Sequence, residues 1–230
     1  MIDLGKPVRD WTPRPWPQPQ VFDGAHVRLE PLNDHHTEAL FAAFAADQIG
    51  KIWAYLPYGP FSSLPRFEGW VQEVMAQQDL QFYAFCPHDT GHASGVAALM
   101  RIDPDHGVIE VGHINFAPGL QRTVAATEGL YLLLHYALET LGYRRFEWKC
   151  NALNAASRRA AQRLGFTFEG VFRQANVIKG YNRDTAWFSL LDSEWPSIRN
   201  GFAAWLNPRN FDPQGSQRRR LAECRTQPRE

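Results

Sequence analysis

"PGLQRTVAATEGL" (Pro118–Leu130) decides how this chain is read. A strand-like run, "GVIEVGHINF" (107–116), stops just before it, and a long helical run, "AATEGLYLLLHYALETL" (125–141), follows. Pro118–Gly119 turns the chain, and the helix begins near Val124. The first turn of a helix leaves about four amides without intrahelical partners, and with the helix dipole they favour an anion. Turns that hold phosphate usually rely on glycine, yet none lies between Gly119 and Gly129. Glycine is required only where φ is positive or a Cβ blocks close approach. With ordinary dihedrals over 121–126 the amides stay available. Gln121, Arg122 and Thr123 then add side-chain donors, Ala126 permits close approach, and Val124 narrows it. A plain strand-to-helix connection capped by Thr123 or Thr127 explains the same stretch, so both readings stand here.

Outward from this turn the pattern alternates. "HVRLEPL" (26–32) reads as a strand, and Asn33 or Asp34 caps a helix over "HHTEALFAAFAA". "IWAYLPYGPF" (52–61) is an aromatic loop broken by Pro and Gly. "LPRFEGWVQEVMAQ" (64–77) has helical spacing at Phe67, Trp70, Val71 and Val74. "QFYAFC", "SGVAALMRI" and "GVIEVGHINF" are strands joined by turns. After the central helix, stopped at Gly142, come the strand "RRFEWKC" and the helix "AASRRAAQRL" between Asn154 and Gly165. The strands "FTFEGVFRQANVI" and "DTAWFSLL" follow, joined by "KGYNR". This order implies an α+β fold, a mixed and mainly antiparallel sheet flanked by helices. Pro7, Pro13, Pro15, Pro17 and Pro19 forbid helix near the start, and Trp11 and Trp16 point to an extended segment lying on the body. A ligand for a proline-binding domain is the other reading of that segment. The expected division is an extension over 1–24, one domain over 25–207, and a loose polar tail over 208–230.

Composition narrows the function classes. The 230 residues carry 24 basic and 24 acidic side chains. A neutral chain has no general electrostatic pull on nucleic acid or anionic membrane, so neither is an expected partner. No apolar run is long enough to span a bilayer, and the start has no apolar signal core. Cys86, Cys150 and Cys224 are far apart and match no zinc spacing, so no metal is expected. Free thiols fit a cytoplasmic setting. His35, His36, His88 and His92 fit no metal spacing either and read as surface histidines.

A second constellation is "NALNAASRRAAQRLGF" (151–166). Asn154 is a good N-cap, with Ser157 inside the first turn. One reading confines both to capping; the other puts the Ser157 hydroxyl at a cleft mouth, ready to donate to a leaving group. Together, the "QRTVAATEGL" and "NxxS…LGF" blocks make residues 107–191 resemble the GNAT superfamily of acyl-CoA N-acyltransferases, closest to the RimJ/RimL-like ribosomal-protein N-acetyltransferase branch. The resemblance lays a pyrophosphate-wrapping motif on this chain with Gln121 first, Val124 where a glycine is usual, and Ala126 last.

The resemblance implies a splayed central sheet and acetyl-CoA as co-substrate. The carrier would be held by Ile114, Asn115, Phe116, Gln121, Arg122, Thr123, Val124, Ala125, Ala126, Thr127 and Asn154. It implies direct attack by a primary amine, either a protein N-terminus or a small molecule, with no covalent enzyme intermediate. An oxyanion donor is expected from the backbone of 112–116, and Ser157 is expected to serve the departing thiolate. Glu110, in an apolar strand, is the expected base, with His113 and Glu169 as rivals. Glu110 and His113 share a face only if a bulge falls at Gly112. Trp53, Tyr55 and Tyr58 would line the acceptor cleft, or serve as core. The chain would be a monomer or a homodimer. Two other classes compete: a hydrolase, which lacks a GxSxG elbow, and a non-catalytic acyl-CoA-binding module.

Overall fold

The computed structural model describes residue 2 and residues 4–225. Eight strands form one sheet in the order β1-β2-β3-β4-β5-β6-β8-β7. They are β1 (Phe22–Asp23), β2 (Val27–Pro31), β3 (Gln81–Pro87), β4 (Gly95–Asp103), β5 (Val108–Phe116), β6 (Arg145–Asn151), β7 (Thr167–Ile178) and β8 (Tyr181–Leu191). Every neighbouring pair is antiparallel except β5–β6. Helices α1 (Thr37–Phe44) and α2 (Leu64–Met75) cover one face over β2–β4. On the other face lie α3 (Val124–His135), α4 (Ala155–Leu164) and α5 (Trp195–Leu206). No helix among the described residues is long and apolar enough to cross a membrane.

Alternation along the strands builds two cores. Leu29, Tyr83, Phe85, Leu99, Ile109, Phe146 and Phe188 face α3–α5, while Phe82, Ala84, Val96 and Ala98 face α1 and α2. Each large side chain removed from water contributes about 1.5–3 kcal/mol. The long α3 is stitched to the β1–β2 turn through Glu128. Its two carboxylate oxygens accept from the amides of Ala25 (2.8 Å) and His26 (2.6 Å). At its C-terminal end α3 passes into a π-helical turn, Tyr136–Thr140.

The proline-rich N-terminal segment lies along the body, as its tryptophans suggested, though unequally. The Trp11 indole donates to the Asp105 carbonyl (2.8 Å), while Trp16 stays 38% exposed. Tyr143 donates to the Pro15 carbonyl (3.2 Å) and Gln81 to that of Pro17 (2.6 Å). Three elements go beyond the expected set: β1, α5, and α6 (Leu221–Cys224). The segment after Pro208 is therefore not loose where it is described. Asn210 donates to the Trp205 carbonyl and accepts from the Arg219 amide, and Leu221 and Cys224 are buried. Residues 226–230 of the expected tail lie outside the described residues. His36 is also corrected. It is 3% exposed, because its Nδ1 accepts the Asn33 amide in a capping box.

Removing the Glu128 carboxylate leaves two turn amides without their acceptor. Glu128→Ala should cost about 3–6 kcal/mol in urea unfolding, the range for two bonds to a charged acceptor. A midpoint equal to wild type would mean that the carboxylate does not hold the turn.

Candidate active site

The parallel pair β5–β6 is in register from Val108↔Arg145 to Val111↔Trp148 and then stops. Beyond Val111, β5 keeps its pairing with β4 and β6 keeps its pairing with β8, so the two strands diverge inside the sheet. The cause is local. Between Gly112 and Asn115 the β4–β5 register slips, and His113 takes φ +51°. A bulge raises twist and re-aims side chains. It turns His113 onto the face of Glu110 and Gly112, where its ring stacks on Tyr58 (5.6 Å) and meets Phe82 (5.3 Å). The condition for Glu110 and His113 to share a face is thus met. The β5 edge over 112–116, with Ile114, Asn115 and Phe116, has no ladder partner on the cleft side.

The turn that opens α3 sits at the end of this edge. It does not use ordinary dihedrals throughout. Arg122 takes φ +64°, the left-handed conformation in which glycine is usual, at about 1–2 kcal/mol for an L-residue. The amides of Arg122, Val124 and Ala125 have no hydrogen-bond partner among the described residues. That of Ala126 is already capped by Thr123 Oγ1 (3.1 Å), so the open set is narrower than 122–126. Gln121 Nε2 donates to the Phe116 carbonyl (2.9 Å) and ties the turn to β5. The Val124 side chain packs against the core, so it leaves the turn's outer surface clear. Thr127 does not join this surface. It is buried, with Oγ1 donating to the Thr123 carbonyl and accepting from Arg163.

The opposite wall is the β6–α4 junction. Asn154 caps α4 by accepting the Ser157 amide (3.1 Å). Ser157 Oγ accepts the Trp148 indole N–H (2.9 Å), and Trp148 is the last β6 residue paired with β5. Burial raises the pKa of the nearby Cys150 thiol, and the Ser157 hydroxyl opposes that rise.

On the α1/α2 face the cleft floor is charged. Glu110 is buried, and its Oε2 meets Lys149 Nζ (2.8 Å) and Arg101 Nε (3.2 Å). Burial raises the Glu110 pKa, against the pull of those cations. Lys149 continues to Glu147 (2.6 Å), and Arg145 joins Glu147 to Glu169 (2.6 Å each). Glu169 is therefore no base. Arg145 and the Ser189 hydroxyl hold its pKa down at about 2. Tyr58 bonds His113 Nδ1 through its hydroxyl (3.0 Å). Tyr55 reaches across to the Leu153 carbonyl (3.3 Å), and Lys179, at the tip of the β7–β8 hairpin, donates to the Trp53 carbonyl (2.9 Å). The Trp53 ring itself is core, 4% exposed against Phe44 and Phe61.

Residues 26–167 match the family model for the acetyltransferase (GNAT) domain. The chain belongs to the GNAT acetyltransferase family. Membership makes it an acetyl-CoA-dependent N-acyltransferase. A GCN5-related N-acetyltransferase from Brucella melitensis superposes with TM-score 0.92 at 47% identity, over 94% of this chain and 99% of that one. A probable GNAT acetyltransferase from Chromobacterium violaceum gives 0.79 at 44% identity, over 85% and 98%. The ribosomal-protein-serine acetyltransferase of Escherichia coli is 29% identical over 101 residues, 44% of this chain and 56% of that protein.

This GNAT acetyltransferase has a second polar cluster, away from the strand divergence. Glu30, His35 and His36 bring their ligand atoms within 4.8 Å, beside a hollow of about 190 Å³. The Asn33 amide donates to His36 Nδ1, so Nε2 carries the proton and donates it to Glu30. That nitrogen has no lone pair for a metal.

His113 sets a pH dependence. Burial first, then the charges of Arg183 and Arg101, push its pKa down to about 4 from 6.5. The unfolded chain therefore takes a proton that the folded form refuses. Stability is full above pH 6.5 and falls as pH drops from 6.5 to about 4, by on the order of 3 kcal/mol. Denaturant midpoints at pH 7 and pH 4 check this. His113→Gln should lose less than wild type between them, and equal losses would contradict it.

Proposed function

We propose that the protein transfers the acetyl group of acetyl-CoA to a primary amine, a protein N-terminus or a small molecule, by direct attack. The observation that carries this reading is the divergence of β5 and β6 beside a turn whose Arg122, Val124 and Ala125 amides point to no internal acceptor. On this reading the pyrophosphate lies on those amides with the Arg122 guanidinium near it, and Gln121 and Thr123 hold the turn in shape. The pantetheine arm takes the place of the missing strand along Ile114, Asn115 and Phe116, and a backbone N–H of that edge receives the oxyanion. Asn154 fixes the start of α4. Residues 25–207 would form the catalytic domain, extended by 1–24 and 208–230. Buried free thiols fit a cytoplasmic setting.

Ser157 suits the departing thiolate. The Trp148 indole donates to its oxygen, which polarises the hydroxyl and leaves its proton to be given outward. Between the two bases, Glu110 is the stronger proton acceptor, since burial raises its pKa while that of His113 falls to about 4. Neither is strong. An α-amine, at about 7.7–8.0, needs far less help to be neutral than a lysine at about 10.4. The same Arg183 and Arg101 charges that push His113 down disfavour a bound ammonium, so the cleft itself promotes the neutral amine. This favours an α-amine acceptor, and the name of the E. coli relative is consistent with it. Tyr58 and Tyr55 line the acceptor side, with Trp53 as backing.

Release of free CoA from acetyl-CoA, read with a thiol reagent, should depend on added amine. Equal release without amine would favour a hydrolase, and binding without release a non-catalytic module. Ser157→Ala should lower kcat about 100-fold, the usual scale for a lost proton donor, while the Kd for acetyl-CoA stays within about twofold. Unchanged kcat would leave Ser157 as a capping residue only.

A further inference from the structure

Strand β8 carries Arg183, Thr185 and Trp187 at alternate positions, so their side chains leave the sheet on one face. Register puts Trp187 opposite Lys149 and Thr185 opposite Asn151, on the face that bears Glu110. Arg183 Nε, Thr185 Oγ1 and Trp187 Nε1 are each buried without a hydrogen-bond partner. Across the cleft, Asn115 Nδ2 on β5 is a fourth such atom, paired in register with Val96 of the α1/α2 face. Of the eight unpartnered buried side-chain atoms among the described residues, three sit at alternate β8 positions and the fourth on β5, on the same face of the sheet. Native proteins rarely leave such groups unmet, so a concentration of them marks a place where something else supplies the partner.

All four atoms can donate, and three can only donate. The missing group is therefore an acceptor of hydrogen bonds. Its charge follows from Arg183. This guanidinium makes no ion pair with any described residue, because the nearby Glu110 carboxylate is taken by Lys149 and Arg101. The carrier's phosphates are not the missing anion, since the α3 turn that offers them amides belongs to the opposite face of the sheet.

We infer that Arg183 receives a carboxylate of the acceptor, which is a primary amine bearing that carboxylate within a few bonds. This rests on the acetyl-transfer reading above. A guanidinium fork pairs a carboxylate through two parallel hydrogen bonds, and the unpartnered donors of Thr185, Trp187 and Asn115 remain for the acceptor's other polar groups. Two sources share this chemistry: the α-carboxylate of a free amino acid, and an acidic side chain next to a peptide N-terminus.

The test compares glycine with glycinamide, and Ser-Asp amide with Ser-Asn amide, each rate corrected for the neutral fraction of the amine. At least one carboxylate compound should exceed its amide at least tenfold in kcat/KM, and the pair that does so names the source. Arg183→Gln should bring that ratio to within twofold, and Arg183→Lys should keep part of it. No preference in wild type, or a preference that survives Arg183→Gln, overturns the inference even if uncharged amines are acetylated, which leaves acetyl transfer standing. If no amine is acetylated, acetyl transfer itself falls. Calorimetry with the same compounds on acetyl-CoA-loaded protein then decides: carboxylate binding lost in Arg183→Gln supports the inference, and no difference overturns it. Arg183→Gln should not lower the Tm, because the side chain has no partner to lose. A clear fall would show that Arg183 pairs within the fold and would overturn the assignment.

Discussion

A parallel strand pair that stops pairing half-way leaves backbone donors and acceptors inside a sheet with nothing to bond. Such groups are costly when buried, so a fold keeps this opening only if something else holds it. Here β5 carries a bulge at His113 and stays paired with β4 to Phe116, while β6 stays bonded to β8 through Asn151↔Thr185. The Trp148–Ser157 hydrogen bond pins α4 at the fork, and the Glu128 clamp fixes α3 against the β1–β2 turn. The result is a strand-shaped vacancy that ends at the free amides of the α3 turn. An extended arm with polar groups along it, closed by a diphosphate, matches both the shape and the chemistry.

Electrostatics separates the two sides of this cleft. On the floor, charges alternate from Arg101 to Glu110, Lys149, Glu147, Arg145 and Glu169, each meeting the next. Buried ions need such partners, and the alternation supplies them. Arg183 stands outside the chain, so the acceptor side keeps a net positive charge, which adds to burial in depressing the pKa of His113. A positive cleft favours a neutral amine over an ammonium, which is the form that can attack a thioester. It also asks for an anion, which ties acceptor chemistry to the same strand.

Periodicity made the fold legible, since apolar spacing marked most strands and helices and Asn154 marked the α4 cap. α5 lay in the same kind of pattern, with Trp195, Ile198, Phe202 and Trp205 buried behind Pro196 at its start. The site was legible in outline. Its corrections depend on polar partners that apolar spacing does not reveal, some a few residues away and some distant in sequence. Ordinary dihedrals at Arg122 were a fair local expectation, yet the closing bond from Gln121 to Phe116 accompanies a left-handed residue there. Glu169 looked free until Arg145, 24 positions away, was seen to clamp it. Trp53 belonged to the core because α1 and the loop around Phe61 close on it. The bulge at His113 could be posed as a condition from sequence, but only the β4 register decides it.

A shortened carrier tests the grip on the diphosphate end of acetyl-CoA. S-acetyl-pantetheine keeps the thioester and the arm but has neither pyrophosphate nor nucleotide. Titration calorimetry of acetyl-CoA against S-acetyl-pantetheine reads what the diphosphate and nucleotide contribute together, an upper limit on the α3 turn's share. If the Arg122, Val124 and Ala125 amides hold the diphosphate, acetyl-CoA binds about 100-fold tighter or more, equivalent to about 2.7 kcal/mol. Equal affinity for the two carriers would mean that the turn grips nothing.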